Sequence, residues 1–205
     1  MNNSILIPRT LELLSPKDPD LQTLELKALK QLYDTGLGIA PLVVVPASLE
    51  EHFYRLNNLP EQLSKLFSKI NFKRPDEDAI EDLAPQAQDL IKRHYFLDEI
   101  IDMLYATLTP LPNQVVIRRP QENGIIALNG RPALMALKNI WAQNWSFENL
   151  LERIEKISSI AITERPVMIQ APGGITSESK SKEASQLLGQ KVTVETCELG
   201  VTRVV

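Results

Sequence analysis

The sequence has a single cysteine, Cys197, among 205 residues. No intrachain disulfide can form, and no cysteine-based zinc cage is available. Histidine is nearly as scarce: His52 and His94 are the only two, which excludes a histidine-rich metal site. No apolar run approaches the ~18 residues that a membrane helix needs. The opening stretch, Met1 to Pro8, carries no basic start and too few apolar residues for a secretory signal. Positive charge is in deficit as well, with a net charge of −4 and a pI near 5.3. A broad basic footprint is therefore excluded, and no nucleic-acid partner is expected. These absences leave a cytoplasmic protein without a membrane span as the expectation. What the chain does have is 43% hydrophobic residues, enough to build the core of one domain or two small ones.

The pattern along the chain gives helices early and a mixture later. An extended start is expected at Ser4 to Pro8. Asp18-Pro19 is a helix-start signal, and Leu21, Leu24, Ala28 and Leu32 then share one helical face, with Gly36 as the stop. Leu42 to Val45, bounded by Pro41 and Pro46, reads as a buried strand. Ser48 and Glu51 have capping-box spacing before a helix over 49–57. Pro60 opens another helix, and residues 79–108 are helical in pattern, with Pro85 near the beginning. Strands are expected at 114–118 and 125–128, then a helix from Pro132 carrying Leu134, Leu137, Ile140 and Trp141, and one capped by Ser146. Residues 159–162 and 167–170 read as strands, a short helix as 183–188, and two final strands as 191–196 and 199–205. The order predicts an α/β class, with α+β as the alternative. The segments 36–46 and 114–118 are expected as neighbours in one sheet, with the 132–144 helix packed on them.

Chemistry-bearing residues are few. Arg118 and Arg119 end a predicted strand, where ligands of α/β folds gather, and arginine is the best planar partner for phosphate. The plainer reading is a solvated pair, because adjacent strand side chains point to opposite faces. His52 and His94 read as surface residues and Cys197 as a buried thiol. Pro172-Gly173-Gly174 has the loop character of an anion nest but lacks the P-loop lysine. The acidic residues Glu77, Asp78, Glu81 and Asp82 read as a solvated helix face. Trp141 and Trp145, four apart, read as core or interface anchors.

Leu32 to Pro46 (Leu-Tyr-Asp-Thr-Gly-Leu-Gly-Ile-Ala-Pro-Leu-Val-Val-Val-Pro) resembles the "Leu-x-x-Ala-Gly-Leu-Pro-Val-Pro-Pro-Gly-Phe-Val-Val" segment of the pyruvate phosphate dikinase and phosphoenolpyruvate synthase family. Val115 to Arg118 is similar to that family's "Val-Ala-Val-Arg-Ser-Ser" strand. Ala133 to Gln143 is similar to its tryptophan-containing helix, and Val167 to Gln170 to its "Val-x-Val-Gln" strand. The series runs in the family's order over roughly residues 21–171. It implies an ATP-grasp-like single lobe at 1–170, with a small mixed sheet and a helical insertion at about 58–112. A loop, a short helix and C-terminal strands follow at 171–205. It also implies Arg118, Lys27 and Gln170 as cofactor-binding residues, ATP as the cofactor, and Mg²⁺ only where a partner supplies a second lobe.

The departures are as specific as the matches. The family's glycine-framed lysine falls on Leu24-Glu25-Leu26-Lys27. Its two serines after the strand arginine are Arg119 and Pro120, and its phosphate lid shrinks to Gln121–Arg131. The 35 residues after Gln170 are too few for the lobe that holds Mg²⁺. The expectation is a non-catalytic binding or regulatory module with at most weak nucleotide binding, whose vacated face is covered by the C-terminal strands folding back or by a protein partner or a second copy. One alternative is an ATP-dependent phosphotransferase completed by a second chain. The other is an α/β protein-interaction adaptor without a ligand.

Overall fold

A computed structural model describes residues 6–205. Successive strand side chains point to opposite faces, so a strand buried at every position must have a layer on each side. Strands β2 (Leu42–Val45) and β5 (Val167–Gln170) meet this condition at all four positions. With β1 (Arg9–Thr10), β3 (Gln114–Arg118) and β4 (Ile125–Leu128) they form a five-stranded sheet of order β1-β2-β5-β3-β4, antiparallel throughout. Val43, Val45, Val115, Ile117, Val167 and Ile169 project into a helical layer. That layer comprises α2 (Ala47–Leu56), α3 (Leu59–Leu66), α4 (Glu77–Arg93), α5 (Asp98–Leu108), α6 (Arg131–Ala142) and α7 (Phe147–Ile157). Leu42, Val44 and Met168 project the other way. They meet α1 (Leu24–Asp34), α8 (Glu178–Leu188) and a second antiparallel sheet of β6 (Ile175–Thr176), β7 (Val194–Cys197) and β8 (Gly200–Val204). The fold is mixed α/β, as the element order predicts.

Several local expectations are corrected. The strands β2 and β3 share a sheet but are not neighbours, because β5 lies between them and pairs with both. Apolar content marks each strand as interior and carries no information on which interior strands touch. The expected strand at 159–162 is an irregular segment: Ser158 adopts a left-handed conformation that ends α7, and Ile160 and Ile162 meet their burial demand against the helical core instead of in a sheet. Ser4 and Ile5 lie outside the described residues, and the extended pairing falls at Arg9–Thr10. Pro19–Gln22 forms a separate 3₁₀ turn capped by the Asp18 side chain. That break shifts the helical phase, so Leu24 is 74% exposed while Leu26 and Leu29 are fully buried.

The helix α2 begins at Ala47, which puts Ser48 inside its first turn rather than at the cap. The Ala47 N–H instead donates to Asp20 Oδ1 at 3.1 Å. Pro85 lies inside α4, whose start is capped by Asp76. The long helical stretch breaks at His94, where the backbone turns extended. His52, His94 and Cys197 are each half-buried, and His94 Nδ1 lies 2.6 Å from the Leu90 carbonyl oxygen. Trp141 is fully buried beside Phe53 and Phe96, with ring centroids at 5.2 and 5.6 Å. Among the described residues no helix is long and apolar enough to cross a membrane.

Candidate functional site

The carboxyl end of β3 carries two arginines, and the pleat sends them to opposite layers. Both are buried, against the expectation of a solvated pair. Arg118 points to the α1 layer, where Nη2 and Nη1 donate to Glu25 Oε1 and Oε2 at 2.6 and 2.8 Å. The same carboxylate accepts the Gln121 backbone N–H at 2.5 Å. Arg119 points to the helical layer, where Nη2 donates to both oxygens of Glu50 at 3.1 and 3.0 Å and Nη1 to the Arg165 carbonyl at 2.6 Å. Asn144 Nδ2 adds a bond to Glu50 Oε1 at 2.9 Å. Arg118 and Glu25 meet in the two-nitrogen, two-oxygen bidentate geometry that makes such pairs strong and directional, whereas Arg119 reaches both Glu50 oxygens through Nη2 alone. Burial raises the Glu50 carboxyl to about 7, while the Arg119 charge pulls it down.

Of the three residues that the resemblance implies for a nucleotide, two come together. Gln170 is the Cα partner of Val116, and its Nε2 donates to the Thr202 carbonyl at 2.6 Å. Arg118 Nη2 reaches that same carbonyl at 3.3 Å. Lys27 is exposed on α1, two residues past Glu25, and two residues on a helix do not share a face. The Pro172–Gly174 loop packs against β8 so closely that a Cβ on Gly173 would lie 1.9 Å from Thr202 Oγ1. Between these elements is a cavity of about 240 Å³ that includes Arg118, Gln170 and Thr202. The Arg118 charge is already matched by Glu25, so an anion drawn to Arg118 would compete with a bidentate ion pair; Arg203 also lines the cavity and donates to the Gln121 carbonyl.

A larger concavity lies elsewhere. Four residues after Glu50 on α2, the Tyr54 hydroxyl accepts the Trp145 Nε1–H at 2.8 Å, and the Trp145 ring stacks on Phe67 with centroids 6.0 Å apart. These three rings, with Phe72, Leu63, Ile160 and Ile162, line an open groove of about 570 Å³ between α2, α3 and the irregular 159–164 segment. Its polar lining includes Glu51, Arg55, Ser64, Ser68 and Glu164. Burial, then the nearby Glu50 charge, holds the Tyr54 hydroxyl well above its ordinary range. Outside the groove, the Arg153 guanidinium sits 5.1 Å from the Trp145 ring centroid.

Sequence reasoning placed Trp145 as an anchor but missed the groove. The available signal was Phe72, a lone aromatic in a polar, proline-containing loop. The acidic residues Glu77, Asp78, Glu81 and Asp82 stand exposed at the start of α4, and no group of three or more metal-ligating side chains is assembled among the described residues. Compared with known proteins, the sequence matches no family model and no curated protein.

Proposed function

We propose that the chain is a non-catalytic binding module, a single-lobe relative of the dikinase ATP-binding domain, whose ligand occupies the aromatic groove between α2, α3 and residues 159–164. The observation that carries this reading is the groove itself: four aromatic side chains, Tyr54, Phe67, Phe72 and Trp145, line one open concavity of about 570 Å³. That size and lining are typical of small-molecule sites. The end of β3 supports the same reading from the other direction. Phosphoryl transfer rests on positioned cations that neutralise developing charge, and both arginines there are held by buried carboxylates. Nucleotide binding at that end is accordingly weak, because a phosphate gains Arg118 only by displacing Glu25.

The test uses Nile red, a neutral dye that brightens in apolar sites. Saturable one-to-one binding is expected, and Ser64→Trp, at an exposed position lining the groove, should abolish it without moving the thermal midpoint. Incubation with γ-labelled ATP and Mg²⁺ should leave the protein unlabelled. Stoichiometric label on the chain, or dye binding indifferent to Ser64→Trp, would overturn the proposal.

A further inference from the structure

We infer that the groove selects an organic ammonium ion, a positively charged amine on a hydrocarbon body. The inference rests on the reading of the groove as a ligand site and adds the charge of what it takes. Three carboxylates lie in or directly behind this region. Glu51 is paired with Arg55 one turn along α2, and Glu50 with Arg119. Glu164, half-buried in the groove lining, has no cation within ion-pair distance among the described residues, since its neighbour Arg165 is engaged by Glu122 at 2.6 Å. The groove therefore presents one uncompensated negative charge at the edge of an aromatic lining. Glu50 and Glu164 act on the Tyr54 hydroxyl in the sense of a negative potential, and Arg119 opposes them.

Aromatic faces attract cations through the ring quadrupole, and the attraction grows as water is excluded. Trp145 already holds one such contact, with Arg153 outside the groove. Arg55, the cation in the groove lining, is paired with Glu51, so selection for a second cation falls mainly to Glu164, with the half-buried Phe72 ring in the same lining. An anion of the same shape would meet the Glu164 carboxylate, while Arg55 in the same lining is already paired with Glu51. A neutral molecule would gain the apolar contacts alone.

Three probes share one body and differ in charge: 4-phenylbutylamine, 4-phenyl-1-butanol and 4-phenylbutyrate, each titrated calorimetrically into the full chain. The amine is expected to bind about five- to tenfold more tightly than the alcohol, and the carboxylate more weakly than either. Glu164→Gln should remove the amine's advantage over the alcohol, and a circular dichroism spectrum and thermal midpoint like the parent's show that the variant is folded. Equal binding of amine and alcohol to the parent protein, or an amine preference that survives Glu164→Gln, would overturn the cation inference and leave the groove standing. Failure of all three probes to bind would overturn the groove as a ligand site, and this inference with it.

Discussion

Glu25 is enclosed between the Arg118 guanidinium and the Gln121 N–H, so removing it strands a buried cation and an amide together. Breaking a buried pair from one side typically costs about 3–5 kcal/mol, and Glu25→Ala should lose that much in urea melts. The double variant Glu25→Leu/Arg118→Met should recover most of it, since replacing both partners removes the charge along with its desolvation. A double variant as unstable as the single one would mean that the loss reflects packing and not charge. Glu50 gives a pH-dependent counterpart. Its folded value, raised to about 7 from an ordinary 4.5, means that the folded state holds a proton that the unfolded state has released. Its contribution therefore falls as pH rises through about 4.5 to 7. Measured against the parent, Glu50→Gln should gain relative stability between pH 5 and pH 8, and an unchanged difference would contradict the assignment. The opposite facing of Arg118 and Arg119 was legible from strand geometry. Their partners, 93 and 69 residues away, were not, because an ion pair across layers depends on which helix covers which face. A trace did exist: Glu25 lies at helical spacing from Leu21, Ala28 and Leu29, and Glu50 from Phe53 and Tyr54. An acid inside an apolar stripe calls for a buried cation.

At the scale of elements, the two sheets join through side-chain bonds to Thr202, a shared core and one short backbone bridge. Ile39 and Val201 form one parallel bridge, with Val201 N–H donating to the Gly38 carbonyl and Ala40 N–H to the Val201 carbonyl, each at 2.9 Å. Gly200 makes this approach feasible. Its φ is +133°, and a Cβ there would lie 2.6 Å from the Gly38 carbonyl oxygen and 2.8 Å from the Ala40 nitrogen, both backbone atoms with little room to yield. Gly200→Ala should therefore cost at least about 1–3 kcal/mol. Hydrogen exchange should show the loss in the amides of Ala40 and Val201 first. Protection unchanged at both amides would show that the bridge tolerates the side chain. Strands at 114–118 and 125–128 matched their predicted bounds, because Pro112 and Pro120 bracket the first apolar run and Gly124 and Gly130 the second. The joint between sheets went unseen, since glycine in a short turn reads the same whether or not another backbone passes over it.

For the whole molecule, residues 171–205 join α1 in closing the face of the five-stranded sheet opposite the helical layer. Ala184, Val194, Val201 and Val204 share a core with Leu26, Leu29, Leu32, Val44 and Met168. A chain ending at Gln170 should expose this surface, lose its sharp urea transition and bind anilinonaphthalene sulfonate strongly. A truncated chain with the parent's midpoint would show that 1–170 folds on its own.

The position of β5 carries a further consequence, for folding in time. Strands β2 and β3 are both synthesised before the segment that separates them, and each presents an open edge until Val167–Gln170 arrives. A growing chain that has emerged as far as α7 holds most of its helical layer but only the margins of a sheet. Direct pairing of β2 with β3 at that stage would be a trap, because it must be undone before β5 can enter. Non-local pairing of this kind slows folding and leaves sticky strand edges exposed meanwhile. The rate of refolding should accordingly respond to substitutions in β5 more than to those in any helix.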